Sequence, residues 1–237
     1  MPTYRYELHC HTQEGSTCSR FPAAELVRHY KEHGYDGVFI SDHLTGSTTV
    51  PRGLSHAEHM AYFCHNGYEI AREEGEKLGL KVFFGPELSI CGSDRSDPIR
   101  KPGGNDFLIL GTTSDWWRQQ TDFFTLLPRQ QFDRIHAGGG FIVHAHPFLR
   151  ADWVECIRLF PDYEDAVEVI NGHSSDEDNA RAAWYAQQYG LLTTAGTDSH
   201  SPDRHLCGIE VPYECFTPQD IIAAIRDGAA RPFAADV

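Results

Sequence analysis

Histidines and carboxylates in this chain occur in pairs whose members are separated by a single residue. In a β-strand, residues i and i+2 lie on the same face, so such a pair can direct two side chains at one point. Imidazole and carboxylate groups together are the ligands that suit zinc, manganese and iron. The spacing therefore predicts a metal centre. The pairs are His9 with His11, His144 with His146, and Asp198 with His200.

Short apolar segments precede these pairs and are interpreted as buried strands, because they are rich in Val, Ile, Leu and Phe. They cover residues 4–10, 37–41, 81–84, 107–110, 140–143, 166–170 and 191–195. Between most of them, amphipathic patterns predict helices over residues 22–33, 57–78, 128–137, 176–189 and 218–227. Strands that alternate with helices favour a parallel sheet covered by helices.

Ligand-type residues stand at or just after the end of each predicted strand except the fourth, which Asn105 and Asp106 adjoin at its start. In a parallel barrel the C-terminal strand ends meet at one mouth, where active sites are built. We therefore expect these residues to converge in space, although they are scattered along the chain. Those not yet named are Asp42, His43, Glu87, Asn105, Asp106, Asn171 and His173.

The ordered set of motifs resembles the polymerase and histidinol phosphatase (PHP) family. The resemblance extends over residues 8–208 and is carried by the segments ELHCHT, GYDGVFISDH, FFGPELSI, VHAHPF and AGTDSH. It implies a distorted seven-stranded (β/α)7 barrel of the TIM type, formed as a single domain over residues 1–237. It also implies two or three divalent metal ions at the mouth of the barrel, which in this family are zinc, manganese or iron.

The resemblance further implies which residues bind each ion. The implied ligands of a first ion are His9, His11, Glu87 and Asp198. Glu87 would bridge this ion to a second one, which His146 would also bind. His43 and His200 would hold a third ion.

Two positions depart from the commoner pattern of the family. Asp106 stands where many members have a histidine before the fourth strand, and a carboxylate can still bind such a cation. The remaining ligand of the third ion, often a His or Asp soon after the HxH pair, is missing at its usual spacing. Glu14 is the nearest carboxylate and is expected to fill this role, with Cys18 as the alternative. The full predicted ligand set is His9, His11, Glu14, His43, Glu87, Asp106, His146, Asp198 and His200.

Four further residues are candidates for catalysis or substrate binding. His144 is predicted to share a strand face with His146, as a ligand, a proton donor or, the favoured role, a group that orients a ligand. His173 is a candidate for contacting substrate or protonating the leaving group, with a surface position as the alternative. Arg150 and Arg204 each follow a ligand segment, and arginine suits bidentate phosphate contacts. A surface salt bridge is the alternative role for each arginine.

The function that the resemblance implies is that of a metal-dependent phosphoesterase. Paired cations lower the pKa of a bound water to about 7, so a metal-bridged hydroxide is expected to attack a small phosphomonoester. The serine-hydrolase motif GxSxG is absent from the sequence, so a nucleophilic serine is not expected. The sequence does not identify the substrate. Residues 44–56 and 91–105 form long irregular segments that are expected to select it, unless they are ordinary solvated connections.

Three alternative functions stay open. A metal-dependent amidohydrolase acting on C–N bonds would use similar ligands, but that class commonly has a bridging carboxylated lysine, and no lysine stands at a suitable strand end. A nuclease or proofreading module would need a basic, aromatic strip, which the sequence lacks. A non-catalytic metal-binding domain would retain the ligands without turnover.

Composition limits the partners and the location. The chain has 237 residues, of which 41% are hydrophobic, and its formal net charge of -14 disfavours non-specific nucleic-acid binding. No stretch approaches the roughly 20 apolar residues of a membrane helix, and the first residues do not resemble a secretory signal. The seven cysteines include no CxxC pair and favour reduced thiols. A cytoplasmic protein with a small phosphorylated substrate and no membrane partner is expected, and its oligomeric state is left open.

Overall fold

The computed structural model describes residues 2–91, 102–202 and 205–236. Its strands are β1 (Tyr4–Glu7), β2 (Gly37–Ile40), β3 (Lys81–Phe84), β4 (Glu87–Cys91), β5 (Pro102–Leu110), β6 (Phe141–Ala145), β7 (Ala166–Asn171), β8 (Leu192–Gly196), β9 (His205–Val211) and β10 (Arg231–Asp236). Its helices are α1 (Ala23–Glu32), α2 (His56–His65), α3 (Gly67–Leu78), α4 (Ser114–Arg118), α5 (Pro128–Ala137), α6 (Asp176–Tyr189) and α7 (Pro218–Arg226).

The strands form two mixed sheets of five strands each within these described ranges. The first sheet has the order β10-β9-β1-β2-β3, and the second has the order β4-β5-β6-β7-β8. In the first sheet β1, β2 and β3 are parallel, whereas β9 and β10 run antiparallel to their neighbours. In the second sheet β6, β7 and β8 are parallel, and β4 and β5 are antiparallel.

The predicted α/β class is confirmed, but the predicted closed (β/α)7 barrel is not what the structure shows. Neither sheet closes on itself over the part of the chain that the structure describes. Only Gly85 and Pro86 separate β3 from β4, and a parallel crossover needs a dozen or more residues. Strand β4 therefore cannot continue the first sheet as the next parallel barrel strand, and it begins the second sheet instead.

Strands β4, β9 and β10 were not predicted from the sequence, because none of them is a clear apolar run. Polar or small residues interrupt these strands, such as Ser89 in β4 and Gly208 in β9, so they lack the continuous apolar character of a central parallel strand. In β9, a Cβ atom at position 208 would lie 2.4 Å from the backbone oxygen of Tyr6, so Gly208 permits the close pairing of β9 with β1.

The largest core cluster lies between the two sheets. Tyr6, Leu8 and Phe39 extend from the first sheet against Leu108 and Phe141 of the second. Helix α7 contributes Ile221, Ile222 and Ile225 to the same cluster. Burial of about 25 cal/mol per Å² of apolar surface is the main stabilising contribution of such a core. This cluster joins the two sheets through their buried side chains.

Helices cover the outer faces of both sheets. Helices α1 and α3 pack on the first sheet through residues such as Leu26 and Ala71, and α6 packs on β7 through Tyr185. On the second sheet, a cluster that includes α2 and α5 buries Trp117 and Phe123. None of the described helices combines the length and the apolar character needed to cross a bilayer.

The predicted helix over residues 57–78 is divided into α2 and α3 at Asn66, whose φ of -80° and ψ of -125° are not helical. Helix α2 begins with a capping box between Ser55 and Glu58. Helix α3 begins at Gly67, where a Cβ atom would lie 2.0 Å from Thr12 Oγ1 and 2.4 Å from Asp42 Oδ2. The break therefore places the start of α3 directly against the loop that follows the HxH pair of β1.

Candidate metal centre

Backbone pairing beyond β1 and β8 brings the first and last ligand segments together. The backbone N–H of Asp198 donates to His9 O at 2.7 Å, and that of His11 donates to Ser199 O at 3.0 Å. An isolated parallel bridge joins Cys10 to Ser199 between these two contacts. The HxH segment and the DxH segment therefore run side by side, in agreement with the predicted convergence of the ligand residues.

Glu87 is the central residue of the site. It is the first residue of β4, it is fully buried, and an isolated parallel bridge joins it to His43. Its Oε1 lies 3.4 Å from the Nε2 atoms of both His9 and His146. Its Oε2 lies 3.4 Å from His11 Nε2 and 2.8 Å from His43 Nδ1. Four imidazoles from three segments thus surround one carboxylate.

Neither oxygen of Glu87 has a partner with hydrogen-bond geometry among the described residues. Buried polar atoms are almost always hydrogen-bonded, so a fully buried carboxylate without such bonds requires an explanation. Burial alone would raise the pKa of Glu87, but the charges of His43 and His9 lower it well below its usual range. An ionised carboxylate among converging imidazole nitrogens is a donor set that fits divalent cations.

Asp198 completes the inner part of this arrangement. Its Oδ1 lies 3.3 Å from His9 Nε2 and 3.2 Å from His11 Nε2, and these two nitrogens lie 3.1 Å from each other. Burial would raise the pKa of Asp198, but the charge of His9 and the hydrogen bond from His11 lower it well below its usual range. Asp198 and His146 both have positive φ angles, 55° and 30°, which are uncommon for residues other than glycine and occur often at functional sites.

The predicted ligands form four overlapping groups of three, in each of which the ligand atoms lie within 4.8 Å of one another. The groups are His9, His11 and Glu87; His9, His146 and Asp198; Glu87, Asp106 and His146; and His11, His43 and His200. The structure therefore brings together every predicted ligand except Glu14.

Glu14, Asp106 and Cys18 differ in their relation to the four groups. Glu14 Oε2 accepts a hydrogen bond of 2.9 Å from Ala23 N at the start of α1, and Glu14 is outside the four groups. Asp106 lies within the cluster and accepts a hydrogen bond from Ser89 Oγ. Desolvation would raise the pKa of the Cys18 thiol, but hydrogen bonds with His200 and His43 lower it to about 6.

Two buried glutamates that support the cluster were missed from the sequence. Glu168 Oε1 accepts from His9 Nδ1 at 3.0 Å, and its Oε2 accepts from His146 N at 3.0 Å. Glu7 Oε1 accepts from His9 N at 2.7 Å and from Thr197 N at 3.0 Å. Carboxylates that hold the second nitrogen of a ligand histidine fix its orientation. The signal that could have found both is a glutamate inside an apolar strand.

The loop after the HxH pair is organised by Asp42. Asp42 Oδ1 accepts from Thr12 N at 2.7 Å and from Ser16 Oγ at 2.8 Å, and its Oδ2 accepts from Thr12 Oγ1 at 2.7 Å. Ser16 Oγ in turn lies 3.3 Å from His11 Nδ1. Burial raises the pKa of Asp42 to about 6. This network positions His11 while leaving its Nε2 directed at Glu87 and Asp198.

His144 lies apart from the four groups, in contrast to the expectation that it shares a face with His146. Strand β6 ends at Ala145 and His146 has a φ of 30°, so the alternation of side chains stops before His146. The His144 ring stacks on Phe107 with 4.4 Å between ring centroids, and its Nδ1 donates to Glu164 at 2.9 Å.

The remaining candidates lie at the surface or outside the described residues. His173 is exposed, with its ring centroid 6.2 Å from that of His200. Arg150 forms salt bridges of 3.0 Å with both Glu177 and Asp178 on α6. Arg204 lies outside the described residues, as does most of the predicted substrate-selecting segment over residues 91–105.

A cavity of about 510 Å³ opens above the cluster. Its floor includes Asp106, His146, Asp198, His43 and His200. This volume lies within the range of about 300–1,000 Å³ that is usual for small-molecule sites. The arrangement can therefore present bound cations to a small ligand.

Comparison with known proteins shows which family this chain resembles. The family model described as PHP-associated (PHP_C) matches residues 176–230. A two-domain protein from Bacteroides vulgatus, which contains a predicted PHP-like metal-dependent phosphoesterase, has a similar structure with a TM-score of 0.71 and 16% sequence identity. These findings support the PHP domain family. The alignment covers 98% of this chain and 65% of the Bacteroides protein, so the chain spans less than two thirds of that protein.

Two other solved structures align to this chain with lower TM-scores. A proposed metal-dependent phosphoesterase from Bifidobacterium adolescentis has 18% identity and a TM-score of 0.51, covering 94% of this chain and 96% of that one. An amidohydrolase from Chromobacterium violaceum, with bound sulfate and no metal, has 15% identity and a TM-score of 0.50, covering 84% of this chain and 88% of that one. No curated protein sequence matches this chain. At these identities the structural likeness shows the fold alone.

Proposed function

We propose that this chain is a metal-dependent hydrolase that cleaves a small-molecule phosphomonoester. The observation that carries this proposal is the environment of the Glu87 carboxylate. It is fully buried, and its two oxygens face four imidazoles without forming hydrogen bonds. The structural similarity to proteins described as PHP-like or metal-dependent phosphoesterases supports the same function. The single-domain organisation and the cytoplasmic location are part of this proposal and rest on the sequence.

The proposed ligands follow from the four groups. The inner residues His9, His11, His146 and Asp198, together with Glu87 and Asp106, would hold two divalent cations. His43 and His200 would hold a third ion, with Cys18 as the adjacent additional ligand. When bound, such cations act as Lewis acids, lowering the pKa of a coordinated water to about 7 and neutralising charge on the phosphoryl oxygens.

The chain's own residues prepare the imidazoles for this role. Glu168 accepts from His9 Nδ1, and Ser16 Oγ, which donates to Asp42, can accept from His11 Nδ1. With Nδ1 bonded to Glu168 or Ser16, Nε2 is the ring nitrogen that each histidine would offer to a cation once it has lost its proton.

The same surroundings make cation binding sensitive to pH. Burial would lower the pKa of His146, but the neighbouring carboxylates of Glu87 and Asp198 raise it to about 9. Burial would likewise lower the pKa of His9, which Glu168 and Asp198 raise well above its usual range. Because a ligand imidazole must be neutral, a binding cation displaces these protons, and the affinity is expected to rise with pH.

The test of the proposed function is phosphate release after controlled metal loading. The chain is stripped with a chelator, reloaded separately with zinc, manganese or iron, and assayed against a panel of phosphomonoesters. We expect turnover only in a reloaded form, and loss of both bound metal and turnover in His9→Ala and Asp198→Asn. Metal binding without hydrolysis of any ester would refute the phosphoesterase function and favour a non-catalytic metal-binding domain.

A second candidate is a metal-dependent hydrolase of C–N bonds, which the similarity to the Chromobacterium amidohydrolase favours. The same loaded protein is assayed against a panel of amides, lactams and cyclic ureas. Release of amine or carboxylate without phosphate release from any ester would select this candidate over the first.

A further inference from the structure

The cavity above the metal cluster has walls of two different chemical kinds. The candidate ligands form its polar floor, whereas Leu149 and Trp153 contribute an apolar wall. Trp153 is 70% exposed, although an indole is one of the largest apolar surfaces that a protein can bury. A ligand in the cavity could cover this ring and remove its surface from water.

The apolar wall is held in place by the strand that carries Asp106. The side chain of Asn105 donates to Cys156 O at 3.2 Å and accepts from Arg158 N at 2.8 Å. Gly104 has a φ of 74°, and a Cβ atom there would lie 3.0 Å from Val154 Cα. The segment around Trp153 is therefore anchored beside the ligand Asp106.

A second attachment joins this wall to the other side of the floor. The backbone N–H of Leu149 donates to His146 O at 2.9 Å, and that of Val154 donates to Ala151 O at 3.0 Å. The turn after His146 thus fixes where the wall begins, and Asn105 fixes where it ends. Trp153 lies between these two fixed points.

The charges of the residues that line the cavity indicate which kind of ligand it can bind. The described residues that line the cavity include Asp106 and Asp198 but neither lysine nor arginine. Bound cations would neutralise a phosphate group at the floor, and Leu149 and Trp153 offer apolar surface to the rest of the ligand. This favours an uncharged, apolar organic part.

We propose that Trp153 is a specificity-determining residue and that the substrate is a phosphomonoester whose organic part carries a flat aromatic or heteroaromatic ring. The phosphate lies at the cation-binding floor, and the ring stacks on the indole of Trp153. This inference rests on the proposed function for the phosphate end of the substrate, while the ring end rests on the apolar wall alone.

The test compares two non-hydrolysable ligands of nearly equal size, benzylphosphonate with a flat ring and cyclohexylmethylphosphonate with a puckered one. Their dissociation constants for the metal-loaded full chain are measured by calorimetry. Because aromatic pairing contributes about 0.5–1.5 kcal/mol beyond area burial, we expect benzylphosphonate to bind about two- to tenfold more tightly. The preference should disappear in Trp153→Ala and persist in part in Trp153→Phe.

Trp184→Ala is the matched control, because Trp184 is also exposed, at 59%, but lies on α6 and does not line the cavity. It should keep the full preference. Equal affinity of the two phosphonates, failure of both to bind, or an unchanged preference in Trp153→Ala would overturn the inference.

Hydrolysis of benzyl phosphate, measured in parallel, separates the two proposals. A ring preference that depends on Trp153, without hydrolysis of any ester, refutes the proposed phosphoesterase function but supports the stacking wall. Ester hydrolysis without any ring preference supports the function and overturns the role of Trp153.

Discussion

Glu87 and Glu164 are both buried glutamates beside a histidine, and their surroundings differ in one respect. Each oxygen of Glu164 is hydrogen-bonded: Oε1 accepts from His144 Nδ1 at 2.9 Å and Phe160 N at 2.6 Å, and Oε2 accepts from Tyr185 OH at 2.9 Å. The oxygens of Glu87 face imidazoles without such bonds. A satisfied network stabilises a core, whereas a buried carboxylate that faces several imidazole nitrogens without hydrogen bonds fits a cation-binding role.

The largest effect expected from this difference is on metal-dependent stability. Saturating metal at 100 to 1,000 times its Kd should raise the free energy of unfolding of the wild-type chain by about 3–4 kcal/mol. Glu87→Gln should lose most of this gain, because it removes the central anionic ligand. Denaturant unfolding with and without metal measures the gain.

Glu164→Gln is the matched control for Glu87→Gln, since it makes the same chemical change in a fully buried glutamate side chain. It should lower the stability of the metal-free chain yet keep the full gain from metal. If both variants lose the gain equally, the distinction between the two glutamates is wrong.

The next largest effect concerns the two histidines of the second HxH pair. His144→Phe keeps a ring against Phe107 but removes a hydrogen bond to Glu164, so the free energy of unfolding should fall by about 1–3 kcal/mol. Its bound metal should be unchanged, whereas His146→Gln should lose metal. Urea unfolding and elemental analysis of both variants measure the two effects, and loss of metal in His144→Phe would contradict the comparison.

Glu14 and Cys18 test the rim of the cluster. Glu14→Ala should cost about 0.5–1 kcal/mol of stability, because Glu14 accepts from a backbone N–H at the start of α1, and its metal content should match that of the wild type. Cys18→Ser should lower the affinity for the third ion, because this ion has the fewest proposed ligands. Metal titration of each variant decides between them, and the reverse pattern would restore Glu14 as the ligand.

A surface pair provides the smallest effect. The hydrogen bond of 2.9 Å between His136 and Asp165 raises the pKa of His136. Because the folded pKa is above the unfolded value of about 6.5, the pair stabilises the fold below that pH, and the contribution is lost as the pH rises through the folded pKa. The imidazole is partly exposed, so solvent screening limits the effect to less than about 1 kcal/mol.

His136→Gln measures this contribution when unfolding is followed at several pH values. The variant should be less stable than the wild type at pH values below about 6.5, and equally stable well above the raised pKa. A difference that persists unchanged into the alkaline range would show that His136 acts through packing rather than charge.

Much of the site was predictable because its residues follow local patterns. Each of the seven predicted strands overlaps an observed one, and the HxH and DxH spacings placed His9, His11 and Asp198 at neighbouring strand ends. The open sheets were not predictable, because strand pairing is set by long-range contacts that a local pattern does not contain. Strand β4 shows this, since its position depends on the two-residue connection from β3.

The roles of individual histidines depended on backbone details beyond the sequence. The positive φ of His146 separates its side chain from that of His144, although the two pairs in HxH motifs look alike in sequence. Glu168 was missed because it lies inside an apolar strand and belongs to no ligand motif. Only the structure shows that it accepts a hydrogen bond from His9.

The most direct test of the metal centre is an anomalous-scattering map from crystals of the metal-loaded chain. We predict two or three peaks in the cavity floor, with at least one within bonding distance of a Glu87 oxygen and of Nε2 of His9 or His146. A map with no peak beside Glu87, while ions occupy other parts of the chain, would contradict the central assignment.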